Sequence, residues 1–411
     1  MVAGRSVVFG RGAGRLPLSA VNRVGVLFGG PSVEHDVSII TAQQLMAVLG
    51  ERHEVVPLYL AADGRLWTGE ALRDVDSFAS QPPAGARPIE LRIGGSTPFV
   101  EPASGRFAKP TDVHVDVVVN SIHGTGGEDG TLLGALELAQ VPYVGRGVTA
   151  AAVGMDKHLA KLVARAAGID VLDHERIERS TWEADADAVV RAVRERFPGE
   201  TVVKPVSLGS SIGVQRCTDE DELREALELA FELDRQAIVE PFAAGAVELN
   251  VAVLGRPGEV VAVSEVERPI GSESGLSFED KYMSAAGAKG AKGGGEKTGG
   301  MAAQDRVIPA DVDPAWREAV KELAVKAHHA MRLAGVTRFD FFVLDDGARF
   351  VLNEPNTVPG SFAFYLFEPV GLPFHELAER LLEIAAAESR EERSTTRTFE
   401  SALLRLHTER R

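Results

Sequence analysis

Three oxygen-bearing side chains stand close together in the run GVTRFDFFVLDDGARFVLNEPN (335–356): Asp340, Glu354 and Asn356. Two carboxylates and a carboxamide, with no His or Cys beside them, are hard ligands that suit Mg²⁺ or Mn²⁺ rather than zinc. Arg338 comes two residues before Asp340, so both side chains share one face if the segment is a strand. A cation beside a metal-binding carboxylate is what a phosphate-handling site needs. An ordinary antiparallel hairpin with a polar face would show the same pattern, and this segment alone does not separate the two readings.

Other groups of the same chemical character lie upstream. Lys157 follows Met155-Asp156, and Lys204 ends an apolar run at 201–203. After Lys204-Pro205 comes the small-residue loop VSLGSSIGV (206–214). Its Gly209 and Gly213 let the backbone approach oxygens, and the Ser210 and Ser211 hydroxyls can donate. This is not a Walker loop, because the lysine precedes it and no helix opens after it; a plain hairpin turn is the alternative. Glu34, within GGPSVEHDVS (29–38), sits at a helix start, where a ligand-binding carboxylate and a helix-dipole or capping carboxylate look alike. His123 opens HGTGGEDG (123–130), whose four glycines in seven residues bring backbone N–H groups close to something. By itself His123 also fits a structural loop histidine.

The elements that must position these groups follow from periodicity. An apolar strand at 24–28, a glycine turn and a helix over 39–49 place backbone donors at a strand end. The turn lacks the G-x-G-x-x-G spacing of a dinucleotide site. Residues 61–112 are rich in Gly, Pro and Ser and read as an elaborated edge hairpin, with strands at 89–93 and 97–100. A strand at 115–120, a helix at 132–139 and a strand end at 142–145 complete an open parallel sheet. One helix is expected over 149–167. Strands and helices then alternate to about 245, with a charged helix at 219–234. Antiparallel strands at 248–255 and 259–267, a helix at 314–334, the hairpin 337–353 turning at Asp345-Asp346-Gly347, and a helix at 372–387 follow. Seven glycines within 284–300 predict a lid or a disordered loop, just after Glu279-Asp280-Lys281-Tyr282. The fold expected is α/β with α+β parts in three domains, 24–148, 149–245 and 246–388, flanked by an extension at 1–23 and a tail at 389–411.

A chain of 411 residues exceeds a single core. Its net charge of −16 argues against non-specific nucleic-acid or anionic-membrane binding but leaves a local phosphate site open. Cys217 is the only cysteine, which excludes an intramolecular disulfide and a Cys-rich metal site. No apolar run approaches a membrane span of ~18–20 residues. Residues 1–23 carry arginines and no acid but lack the apolar segment of a secretory signal, so a cytoplasmic protein is expected. Two lysines, a small-residue loop, an oxygen-only metal hairpin with an arginine and a glycine-rich lid together make equipment for a nucleoside triphosphate and a transferring phosphoryl group. No kinase motif, nucleophile elbow or H-E-x-x-H accompanies them.

In order, GGPSVEHDVS, HGTGGEDG, PYVGRGV with MDK (142–157), KPVSLGSSIGV (204–214), DKY (280–282) and RFDFF…NEPNTVPG (338–360) resemble the motifs of the D-alanine–D-alanine ligase family of the ATP-grasp superfamily, across roughly 22–388. The resemblance implies ATP between the central and C-terminal domains. Lys157 and Lys204 would contact its phosphates under Ser210, Ser211 and Gly213. Glu240 would border the adenine with Phe342 and Leu352, and Glu248 would bind the ribose. Asp340 and Glu354 would hold one Mg²⁺ or Mn²⁺, and Glu354 with Asn356 a second. Glu34 would accept the first amino acid's ammonium in a set with Ser210 and Tyr282, with His123 lining that pocket. Arg338, Lys281 and the Gly360 backbone would stabilise the acyl-phosphate and tetrahedral intermediate. The partners implied are small amino acids, and the family is often dimeric.

The match departs after Gly360. The family usually places a serine there that binds the second substrate's carboxylate; this chain has Tyr365, followed by Leu366, at the edge of that pocket. The glycine-rich insertion is also longer than the usual lid. Three readings follow: D-alanine–D-alanine ligation for the cell wall, the same ATP chemistry with another acceptor, and a nucleotide-binding protein without turnover.

Overall fold

A computed structural model describes residues 21–94, 97–105, 107–145, 147–270 and 306–396. Lys281, Tyr282, the 284–300 segment and most of the expected extension and tail lie outside the described residues.

The first sheet contains β1 (Arg23–Gly29), β2 (Glu54–Leu60), β3 (Leu66–Thr68), β4 (Arg87–Leu91), β5 (Phe99–Glu101), β6 (Thr111–Val113) and β7 (Val117–Asn120), in the order β6-β5-β4-β3-β2-β1-β7. β1 reads VGVLFG with both faces buried, as a strand covered on two sides should. It pairs in parallel with β2 and β7. The remaining pairings are antiparallel. The parallel sheet expected over 24–145 is therefore the inner part of a mixed sheet, and the Gly/Pro-rich segment 61–112 supplies its antiparallel edge. Gly29 and Gly30, at φ 92° and 94°, turn the chain from β1 into α1 (His35–Leu49). Only glycine adopts that conformation cheaply, and a side chain on Gly29 would run into the Leu60 carbonyl.

After α2 (Thr131–Leu138), the single helix expected over 149–167 is two: α3 (Val148–Met155) and α4 (Lys157–Ala166). Asp156 leaves helical geometry at ψ 107°, and its Oδ1 accepts from Leu159 N–H at 2.8 Å, capping α4. The break sets Lys157 on the first residue of α4. The second sheet holds β8 (Glu175–Glu178), β9 (Thr201–Pro205), β10 (Gln215–Cys217) and β11 (Gln236–Pro241), ordered β10-β9-β11-β8 and wholly antiparallel. Helices α5 (Arg179–Ala184), α6 (Ala186–Arg196) and α7 (Glu220–Leu233) accompany it. The core of this unit, from Ile177 to Val239, draws on these elements and on Phe197, which follows α6.

The third sheet begins with β12 (Val247–Arg256) and β13 (Glu259–Val263). A two-stranded ribbon, β14 (Arg268–Pro269) with β15 (Arg306–Val307), branches from it, so the strand expected to run to 267 ends at Val263. After α8 (Pro314–Ala330), β16 (Gly335–Leu344) and β17 (Arg349–Asn356) complete the antiparallel order β13-β12-β16-β17. Phe339, Phe341 and Val343 join the core with Val320, Ala324 and Ala327 of α8. Arg338, Asp340 and Phe342 alternate onto the other face. Pairing of Asp340 with Glu354 and of Phe341 with Leu352 leaves Asn353 as an extra, bulged residue. The chain then passes through α9 (Phe364–Phe367) into α10 (Phe374–Ser394), whose Leu377, Leu381 and Ile384 share one core with β1, α1 and β12.

Candidate active site

On the hairpin, Arg338 grips Asp340 with two hydrogen bonds, Nε to Oδ1 and Nη2 to Oδ2, each 2.7 Å. Both side chains are buried. Burial opposes the guanidinium's charge, but Asp340 outweighs it and raises the Arg338 pKa well above its usual value. Asn356 Nδ2 donates to Asp340 Oδ2 at 3.1 Å. Glu354 stands opposite Asp340 in the strand register and 3.5 Å from Lys157 Nζ. Like charges directly opposed across strands are unfavourable unless cations offset them. Arg338 and Lys157 do so here, and the paired carboxylates with the Asn356 carboxamide oxygen fit a hard divalent ion that keeps water ligands. Among the described residues no cluster of three or more His, Cys, Asp or Glu forms a metal cage, so Asn356 is needed to complete the set.

The lysines converge from different elements. Lys157 Nζ donates to the Leu208 carbonyl, under the loop 206–214. Lys204, on β9, donates to Asn353 Oδ1 at 2.9 Å and lies 2.7 Å from Glu240 Oε2. A third lysine joins them: Lys161 Nζ is 2.6 Å from Glu240 Oε1, with both side chains 1% exposed. Burial pushes the Glu240 pKa up, but Lys161 and then Lys204 overcome it and hold the carboxyl at about 2. Burial lowers Lys161; the Lys204 pKa is raised, because Glu240 and Glu354 outweigh burial. Glu240 was expected beside the adenine; its carboxylate is occupied between two ammonium groups. Sequence reading passed over Lys161, although it lies four residues after Lys157 and thus on the same helix face. Glu248, half-buried, stands opposite Phe342. Leu352 pairs with Phe341 rather than Phe342 and is buried in the core.

The loop reaches the first sheet. Ser210 Oγ donates to Glu34 Oε1 across 176 residues of chain. Ser210 and Ser211 both take left-handed backbone, at φ 52° and 58°. Glu34 makes no capping hydrogen bond to α1, so the capping reading is set aside. Gly213, at φ 72°, packs where a Cβ would meet Leu233 at 2.7 Å. His123 is buried, with Nε2 3.1 Å from Thr41 Oγ1. Burial takes its pKa down to about 4, so the ring is neutral at pH 7. Glu128, also missed, ties two loops together. Its Oε2 accepts from Gly124 N–H at 2.8 Å, and its Oε1 accepts from Val358 N–H at 2.8 Å and from the Thr357 hydroxyl at 2.9 Å. Burial first, and the Glu34 charge second, raise the Glu128 pKa to about 7. An acid inside a glycine-rich run was its only sequence signal.

Beyond Gly360 the backbone takes three consecutive left-handed residues, Ser361, Phe362 and Ala363, at φ 53°, 52° and 50°. Each costs on the order of 1–2 kcal/mol, so the surrounding packing must impose the turn; all three are buried. It leads into α9, which carries Tyr365 and Leu366. Leu366 is buried, and its carbonyl accepts from Glu265 N–H at 3.0 Å. The Tyr365 hydroxyl is buried. Arg306 lies over its ring at 4.0 Å and pairs with Glu267 at 2.7 Å. Burial and then Glu267 raise the phenol's pKa.

Two family models match the chain: D-ala D-ala ligase N-terminus over residues 23–146, and D-ala D-ala ligase C-terminus over 163–383. Among curated proteins, the D-alanine–D-alanine ligase of Geobacillus thermodenitrificans is 33% identical over 92% of this chain and 99% of its own. That of Chlorobaculum tepidum is 35% identical over 88% and 96%. Among solved structures, the D-alanine-D-alanine ligase from Coxiella burnetii superposes with a TM-score of 0.73 at 26% identity, covering 95% of this chain and 99% of that one. The VanG D-Ala:D-Ser ligase from Enterococcus faecalis gives 0.71 at 26% identity, covering 89% and 99%.

Proposed function

The chain belongs to the D-alanine–D-alanine ligase family, and from that premise we propose that it joins two D-alanine molecules at the expense of ATP, releasing ADP and phosphate. The observation that carries this reading is the contact of Ser210 with Glu34. It joins the small-residue loop over the phosphate lysines to the carboxylate that would receive the first substrate's ammonium, so nucleotide and amino acid occupy one continuous site.

A carboxylate is a poor electrophile, because its leaving group would be oxide. Transfer of the γ-phosphoryl group of ATP makes an acyl-phosphate; the second amino acid's amine attacks its carbonyl, and phosphate leaves. Glu34, with Ser210 and Tyr282, would fix the first ammonium, and neutral His123 would line the pocket without adding charge. Lys157 and Lys204 would hold the phosphates. Asp340, Glu354 and Asn356 would hold the divalent ions, which supply charge neutralisation on the transferring phosphoryl. Arg338, with Lys281 and the Gly360 backbone, would stabilise the oxyanion of the tetrahedral intermediate. Glu248 and Phe342 would border the nucleoside, whereas Glu240 is held between Lys161 and Lys204 and Leu352 packs into the core on the opposite face from Phe342.

A second reading concerns the acceptor alone. Tyr365 stands where a serine is usual, and a D-Ala:D-Ser ligase is among the structural relatives. Phosphate release measured across pairs of D- and L-amino acids, with product identified by mass, tests both. D-alanine alone should support release and yield the dipeptide. Release only with a different second amino acid would replace the first reading by the second, and ATP binding without release for any pair would defeat both.

A further inference from the structure

Lys161, Glu240 and Lys204 form a row of three charges on α4, β11 and β9, with exposures of 1%, 1% and 8%. A buried carboxylate needs one ammonium; this one has two, at 2.6 and 2.7 Å. Lys204 continues to Asn353, the bulged residue beside Glu354, so the row ends at the metal and phosphate hairpin. Lys161 stands at the other end of the row, on α4, with its ammonium on Glu240 Oε1. None of the three steps of the proposed reaction employs Lys161, yet burying an ammonium is costly unless it does something in return.

We propose that Lys161 sets the charge of the nucleotide site: by neutralising Glu240 it leaves the row with one net positive charge, on Lys204, for the incoming triphosphate. With Lys161 present the row carries one net positive charge. Without it, Glu240 and Lys204 would cancel, and the phosphates would meet a neutral pair. Lys161 is thus a positioning residue that touches neither phosphate nor amino acid and acts through Glu240. The inference rests on the reading of the site as an ATP site.

A charge cycle tests it on the full chain, by calorimetric titration with Mg-ATP and steady-state kinetics. Lys161→Met should weaken ATP binding about tenfold, the effect of one unit charge at close range in a partly screened interior, while the KM for D-alanine stays within about twofold. Adding Glu240→Gln to Lys161→Met restores the net positive charge and should recover most of the lost affinity. Glu240→Gln alone keeps both ammonium groups and should bind ATP no more weakly than the double variant. A structural role for Lys161 predicts the opposite order, because the double variant removes one more buried interaction. Unchanged affinity in Lys161→Met, or a double variant no tighter than Lys161→Met, would overturn the proposal. Failure of the unmodified protein to bind ATP at all would instead overturn the ATP-site reading.

Discussion

Asp340 has two demands on the same oxygens. Arg338 takes both of them at 2.7 Å, and a divalent ion would need at least one. Asp340→Asn leaves a neutral amide that accepts from Arg338 at one atom only. Turnover should therefore fall by about 10²–10³-fold with every acceptor, and the Mg²⁺ concentration for half-maximal rate should rise. A metal titration of turnover reads both, and full activity at the usual Mg²⁺ level would remove Asp340 from the metal set. Tyr365→Ser should change the preferred second amino acid while the KM for ATP holds within about twofold; an unchanged acceptor profile would take Tyr365 out of that pocket. Asp340, Arg338, Glu354 and Asn356 were legible in the sequence because strand alternation and oxygen chemistry point the same way. Lys161 and Glu128 were not. Each looks like an ordinary surface charge until tertiary contact buries it, and no local pattern announces a partner 79 or 229 residues away such as Glu240 or Thr357.

Elements were legible wherever periodicity was long, and they failed where a single residue redirects the chain. Asp156 divides one apolar helical stretch into α3 and α4, and Asn353 bulges β17; both are side-chain or register effects that hydrophobic period does not record. The Glu128 contacts show how loops, rather than elements, assemble the site. Its carboxylate joins the glycine-rich loop after β7 to the turn that leaves β17. Glu128→Gln replaces one accepting oxygen by an NH₂ group that faces a donor. It should destabilise the protein by about 1–3 kcal/mol and raise the KM for the first D-alanine more than that for ATP. Equal effects on the two KM values would mean that the tie between loops is not felt at the first-substrate pocket. The linkage has a definite sign. With its pKa raised from 4.5 to about 7, Glu128 contributes stability that is fully present below 4.5 and is lost as the pH rises through 7.

Across the whole molecule, the central unit has a core of its own while α10 closes the first and third sheets into one. Polar contacts at the site, Ser210 with Glu34, Lys204 with Asn353 and Lys161 with Glu240, join the central unit to the rest. Apolar burial alone therefore does not set stability, and buried titrating groups give it a pH dependence. His328 on α8 is fully buried, and neither ring nitrogen has a partner among the described residues. Burial takes its pKa down to about 4, as it does for His123. A histidine lowered in the folded state contributes stability that is present above 6.5 and is lost as the pH falls toward 4, because the unfolded chain takes the proton first. Between 4.5 and 6.5 the two histidines outweigh the opposing slope of Glu128, so these groups together make acid destabilising. His328→Leu removes one of them and fills the same space with an apolar side chain that needs no hydrogen bond. Its stability relative to the unmodified protein should be greater at pH 5 than at pH 8 by roughly 2 kcal/mol, measured by denaturant unfolding at both values. Every other titrating group cancels in that comparison, so an identical difference at the two pH values would show that His328 takes up a proton in the folded protein as readily as in the unfolded chain.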